Sequence, residues 1–165
     1  MAVDIFLKIG DVKGESKDDK YKEWIHIESC SYGISNHGSQ GVGGGGGTGK
    51  ADFQDIHFTK AVDAASADIS YHCASGTHYD KAEIVFRKTG DGGKPLDYLK
   101  IKLSDVVVSS VQSSGGGGNN IVHESLSINF AKYEMQYFTQ KADGSGQPGG
   151  NMGWDLKAQI GRAHV

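Results

Sequence analysis

Hydrophobic and polar residues alternate with a period of two along most of this chain, the mark of strands with one buried face. Val3, Ile5, Leu7 and Ile9 share a phase and predict a first strand. The charged run DVKGESKDDK, residues 11–20, predicts a turn-like loop after it. Alternation resumes from Glu23 to Ile34, but its phase slips. Ile25 and Ile27 are odd-numbered, whereas Cys30, Tyr32 and Ile34 are even. A one-residue slip moves the apolar set to the other face of a strand, so a bulge or bend is expected here. The same slip recurs near Ala131, where Leu126, Ile128 and Phe130 give way to Tyr133, Met135 and Tyr137. Strands that change face suit a barrel or an orthogonal sandwich, in which one strand serves two sheets.

The central pair is Tyr98–Val111 and Ile121–Phe138, joined by the turn SSGGGGNN into a long hairpin. Ile84–Lys88 predicts a shorter strand ending in GDGGKP, and Gly153–Ala158 a last edge strand anchored by Trp154. Residues 139–152 read as an exposed loop. One segment keeps helical spacing instead: Val62, Ala65, Ile69 and Cys73, with Asp63 or Ser66 to cap the start and Gly76 to stop it. The expected fold is mainly β, one domain over residues 1–159, with one short helix against the sheets. Residues 160–165, IGRAHV, follow neither pattern and match the translation of a common sequencing-adapter sequence. They are set apart as a non-native tail with no assigned role.

Composition sharpens this picture mainly through glycine. Twenty-five of 165 residues are glycine, about twice ordinary usage, and they cluster at 43–47, 90–93, 115–118 and 144–150. They punctuate the strands. The net charge of −3 is small and the basic residues are scattered, so no nucleic-acid face is expected. No apolar run approaches the ~20 residues of a membrane span. The opening MAVDIFLKIG has neither a basic leader nor a cleavage site, which predicts synthesis and folding in the cytoplasm without a cleaved signal peptide. Cys30 and Cys73 are expected to be reduced core residues rather than a bridge.

The most unusual stretch is SYGISNHGSQGVGGGGGTGKADFQDIHFTK, Ser31 to Lys60, in which a glycine-rich excursion leaves a strand and returns to one. Gly44, Gly49 and Lys50 satisfy G-x-x-x-x-G-K, and Gly44, Gly46 and Gly49 satisfy G-x-G-x-x-G. A phosphate loop needs a helix starting at the lysine, and here ADFQDIHF predicts a strand. The residue that should hold magnesium is Ala51. His72, Cys73 and His78 match no zinc spacing, and His26, His57 and His123 fall on polar sides of strands. No nucleophile elbow is present and the carboxylates are dispersed. The expectation is no enzyme, no cofactor and no metal. A backbone-rich excursion can lie along a neighbouring subunit or remain a solvent loop, and composition leaves both open.

The opening MAVDIFLKIGDVKGES, the Ser31–Lys60 run, HCASGTHYDKAEIVFRKTG, and VVVSSVQ followed by a glycine turn together resemble the haemolysin-coregulated protein (Hcp) family of bacterial type VI secretion systems. The resemblance runs in order to about Ala158. It implies a small β-barrel of two sheets with a helix beside it and a long extended glycine-rich loop. It implies homo-hexameric rings that stack into a tube exported by a contractile sheath beneath a VgrG-type spike, with small effector proteins in the lumen. The family's ring-contact loop falls on Gln40, Val42, Gly43, Gly44, Gly45, Gly46, Gly47, Thr48 and Lys50. A monomeric ligand-binding β-barrel is the alternative reading of the same pattern.

Overall fold

The computed structural model describes residues 3–36, 50–89, 93–118 and 121–164. Among these are eleven strands and one helix. In chain order they are β1 (Val3–Ile9), β2 (Ile25–Ile27), β3 (Ser29–Ser31), β4 (Ile34–Asn36), β5 (Ala51–Phe53) and β6 (Ile56–Ala61), then α1 (Ser66–Ser75). There follow β7 (Tyr79–Thr89), β8 (Pro95–Ser114), β9 (His123–Gln140), β10 (Gly146–Asp155) and β11 (Ile160–His164).

The pivot is β9. One of its edges pairs with β8 from His123 to Tyr137. Its other edge takes β6 over His123–Ile128 and β10 over Lys132–Gln140. The β8–β9 hairpin therefore belongs to two layers. The first runs β2–β1–β7–β8–β9–β10–β11, and the second adds β3 and β6 to the far half of the hairpin. All these neighbours are antiparallel. The result is a small barrel of two sheets whose hydrogen-bonded path stays open at its seam among the described residues.

Both phase slips mark junctions between the layers. Ile27 pairs with Ile5 in β1, and Cys30 pairs with Phe58 in β6, so the chain changes layer at Glu28. At the second slip Phe130 and Tyr133 are both buried. Asp105, between the pairs Ser104–Lys132 and Val106–Phe130, sits opposite Ala131 with φ 53°. This left-handed residue bends β8 where β9 changes face. A register shift between Val108 and Ser110 inserts Ser109 as a bulge further along.

Leu7, Ile9, Ile25, Ile56, Ile69, Ile84, Ile101 and Ile128 are fully buried between the layers. Each such side chain contributes roughly 1.5–3 kcal/mol. Helix α1 plugs the open side through Ala65 and Ile69. It starts at Ser66 because Asp63 is held in a turn: the Asp63 carboxylate accepts from Ala65 N at 2.9 Å, and Ser66 Oγ accepts from Asp63 N at 2.9 Å. Gly76, at φ 68°, ends it as the sequence predicts. Val62 stays outside the helix and is exposed.

On the other face of β1 and β7, Phe6 and Val85 pack with Tyr21 from the 11–24 loop. Arg87 straps that loop down. Its guanidinium lies 2.7 Å from Asp18 and 4.9 Å from the centre of the Phe6 ring. The same guanidinium holds the Asp18 carboxyl below the ordinary carboxylate range.

Three expectations need correction. The 84–88 strand starts earlier, at Tyr79. Residues 146–152 are not loop: β10 begins at Gly146. The glycines there mark a bulge, since the register shifts between Pro148 and Gly150, and a Cβ on Gly149 would come 2.8 Å from the Tyr137 ring. The last segment ends as a strand at Asp155, not Ala158, because the Asp155 carboxylate accepts from Lys157 N and Ala158 N and turns the chain back. Ile160–His164, for which no pattern was read, then lies along β10 as β11. Backbone pairing makes no demand on side-chain pattern.

Candidate assembly surfaces

The excursion from Ser31 to Lys60 is rooted in strand pairing on both sides. Ile34 pairs with Phe53 and Asn36 with Ala51. Phe53 is buried against Phe130, Tyr133 and Trp154, with ring centroids 5.3–6.3 Å apart. Gln159 accepts from Ala51 N at 3.2 Å. Of the predicted contact residues, Lys50 is exposed immediately before β5. Gln40, Val42, Gly43, Gly44, Gly45, Gly46, Gly47 and Thr48 lie outside the described residues. Because a strand follows Lys50, the lysine lacks the helix N-terminus that phosphate binding requires.

The second layer has the strand order β3–β6–β9–β8. Register places its outward side chains in rows. Ser31, His57, Ser127 and Ser110 form one row, in which Ser127 is itself buried beneath the Ser109 and Ser110 hydroxyls, and Ser29, Thr59, Ser125 and Gln112 form the next. These rows contain no Lys, Arg, Asp or Glu. Hydroxyls link neighbours across them: Ser29 with Thr59, and Ser110 with Ser127. A shallow groove of about 350 Å³ runs over this face. At one side, the edge of β8 away from β9 has no strand partner beyond Val106 among the described residues, so residues 107–114 present an edge free of strand pairing, with helix α1 packed against β8. At the other, β3 pairs only with β6 among the described residues. Residues 107–114 (VVSSVQSS) and 29–36 (SCSYGISN) contain neither charge nor proline.

A buried ionic cluster ties this layer to α1. Lys60 is fully buried, and faces Glu124 across the β6–β9 register. Its ammonium contacts the Glu124 carboxylate, Asp63 at 2.9 Å and Ser66 Oγ at 3.2 Å. Ser66 also donates to Glu124 at 2.8 Å. All three donors of the ammonium are thereby used, which buried charge requires. The sequence reading missed this cluster, although Lys60 is in phase with Ile56 and Phe58, and Glu124 with Leu126 and Ile128.

The histidine and cysteine expectations resolve into local contacts. His26, His57 and His123 are exposed. His72 stacks on Tyr79 with centroids 4.0 Å apart, and His78 pairs with Asp105 at 2.6 Å. Tyr79 donates to Asp68 at 2.6 Å, and burial with that carboxylate raises its phenol. No three His, Cys, Asp or Glu side chains converge as metal ligands among the described residues. Cys30 and Cys73 are free and half-buried against the core. Burial pushes the Cys30 thiol up to about 12. A broad cleft of about 900 Å³ between α1 and the β7–β8 face mixes Lys8, Lys81 and Lys102 with Asp68, Glu83 and Glu134.

A two-layer barrel with a plugging helix and an open, uncharged sheet edge defines a class that comparison makes specific. The family described as "Type VI secretion system effector, Hcp" matches residues 6–137. Protein hcp1 of Pseudomonas aeruginosa is 44% identical over 162 residues, an alignment spanning 97% of this chain and 99% of that protein. A solved structure described as a type six secretion system protein superposes with TM-score 0.88 at 28% identity, covering 98% of this chain and 100% of the other. Hcp1 from Salmonella typhimurium gives TM-score 0.75 at 32% identity, covering 98% and 100%. The chain belongs to the Hcp family and is a protein of the type VI secretion tube.

Proposed function

We propose that this protein is the repeating subunit of hexameric rings that stack into an exported tube and carry small effector proteins in the lumen. The observation that carries the reading is the pair of uncharged, proline-free edges on the second layer. Natural monomers protect free edges with charge, proline or a cover. Residues 107–114 and 29–36 have neither charge nor proline. Within the layer β3 and β8 run in opposite directions, since each step β3–β6–β9–β8 is antiparallel. The β8 edge of one copy therefore meets the β3 edge of the next as an antiparallel pair. Repeated head to tail with a closing rotation, this contact makes a ring.

The hydroxyl-rich face of that layer is our candidate for the lumen wall. Serine, threonine and histidine side chains offer many weak hydrogen bonds without fixing a charge, which suits cargo of varied sequence. The segment containing Gln40, Val42–Thr48 and Lys50 is assigned to contact between rings. Sheath and VgrG-type spike proteins are the partners of the stacked tube. The subunit assembles in the cytoplasm and leaves with the tube.

Native mass spectrometry with negative-stain imaging tests the reading. Six-subunit rings are expected, and a stable monomer at all concentrations overturns it in favour of a ligand-binding barrel. Deleting Val42–Thr48 should leave rings and abolish stacks. Loss of the hexamer itself would contradict that division of labour.

A further inference from the structure

If sheet edges are used around the ring, strand ends are what a ring offers to the rings above and below. Nine large apolar side chains are exposed among the described residues, and five of them stand at the two ends of the second layer. At one end are Val62, Ile121 and Val122, which are 44%, 55% and 46% exposed. They form one ridge. Val62 N donates to Val122 O at 2.9 Å, and a Cβ on Gly115 would come 3.1 Å from Val122 Cγ2. At the other end are Tyr32 and Ile34, 40% and 46% exposed. Tyr32 meets Phe86 edge-on at 6.4 Å, and Ile34 pairs with Phe53.

Register fixes which end is which. Ala61 pairs with His123 beside the first group, and Ser31 pairs with His57 beside the second. The six residues of β6 lie between, about 20 Å at the usual strand rise. Scattered exposed apolar residues are ordinary, but contiguous ones at opposite poles of one sheet are not explained by chance exposure. The second pole lacks charge that a covering copy would have to desolvate, whereas beside the first the exposed Glu28 pairs with His123 at 3.2 Å. Residues 29–36 and 107–118 contain no Lys, Arg, Asp or Glu.

We infer that Val62, Ile121 and Val122 of one copy seat against Tyr32 and Ile34 of a second copy in the adjacent ring. The occupant is another copy because the two patches differ and face opposite ways. Such a heterologous contact cannot saturate in a dimer, so it propagates along an axis. This inference rests on the ring-and-tube reading and assigns its axial contact to described residues.

Two variants of the full chain test it. Ile121→Ser/Val122→Ser should keep the native mass of wild-type rings while the stacked fraction falls about tenfold or more, the scale of losing two buried aliphatic side chains. Ile34→Cys/Val122→Cys, oxidised at high ring concentration, should give a disulfide ladder extending past one ring, with wild type as the control for Cys30 and Cys73. Wild-type-like stacking of the serine variant overturns the inference, as does absence of the ladder from intact rings. Absence of rings from wild type is a separate result, and it refutes the ring reading instead.

Discussion

The two halves of the β8–β9 hairpin are continuous strands with opposite surface chemistry. In the half shared with β7 and β10, outward charges alternate across the sheet: Lys8 faces Glu83, Glu83 faces Lys102, and Lys102 faces Glu134. In the half shared with β6 the matching rows are Ser31, His57, Ser127 and Ser110, then Ser29, Thr59, Ser125 and Gln112. Opposite charges across strands add about 0.2–1 kcal/mol per pair and favour contact with water. Hydroxyls favour water less and cost less to cover. The charged half has sheet neighbours on both sides, whereas the hydroxyl half ends in the free β8 edge. On our reading the first face meets solvent and the second meets other proteins.

The largest test of that contrast removes charge from each half. Glu124→Ala leaves Lys60 buried without its cross-strand partner, and should cost about 3–5 kcal/mol in a denaturant melt. Glu134→Ala, which loses the half-exposed contact to Arg162 and its opposite charge across from Lys102, should cost about 1 kcal/mol or less. Equal losses would remove the distinction between a layer held from within and one laced at its surface.

Adding charge comes next. Gln112→Lys/Ser114→Lys puts two cations beside the free edge and should abolish rings in native mass measurements. Monomer stability should change by no more than about 0.5 kcal/mol, as at other exposed sites. Rings that survive would place closure on another surface.

A smaller effect is expected where Arg87 straps the 11–24 loop to the first layer. The Asp18 carboxyl is depressed from 3.8 in the folded protein. Its stabilisation is therefore fully present above that value and is lost as pH falls through the lower folded value. Asp18→Asn should lose on the order of 1 kcal/mol at neutral pH, and its deficit relative to wild type should shrink in acid. A deficit that stays constant in acid would assign the loss to packing rather than charge.

The mildest probe is chemical. With its thiol raised to about 12, Cys30 should resist alkylation at pH 8 in the folded protein and react on unfolding, as intact mass would show. Rapid labelling in the folded state would mean that the crossing between layers opens in solution.

Local sequence determined the strand-rich class, the central hairpin, the two layer crossings and the end of α1. Each depends on interactions within a few residues: alternation sets which face is buried, a phase slip forces a bend, and Gly76 accepts a left-handed backbone. It also contained the glycine-rich excursion and the blocks that resemble Hcp proteins. Tertiary structure decided the rest. Gly146–Met152 reads as loop by composition, yet pairing with β9 makes it strand and uses Gly149 to approach Tyr137. Lys60 and Glu124 are each an isolated charge in a buried phase, and only the β6–β9 register makes them a pair. The free edge of β8 is likewise invisible in VVSSVQSS itself. Whether a strand has a neighbour depends on where distant segments pair, because backbone donors and acceptors are the same at every residue.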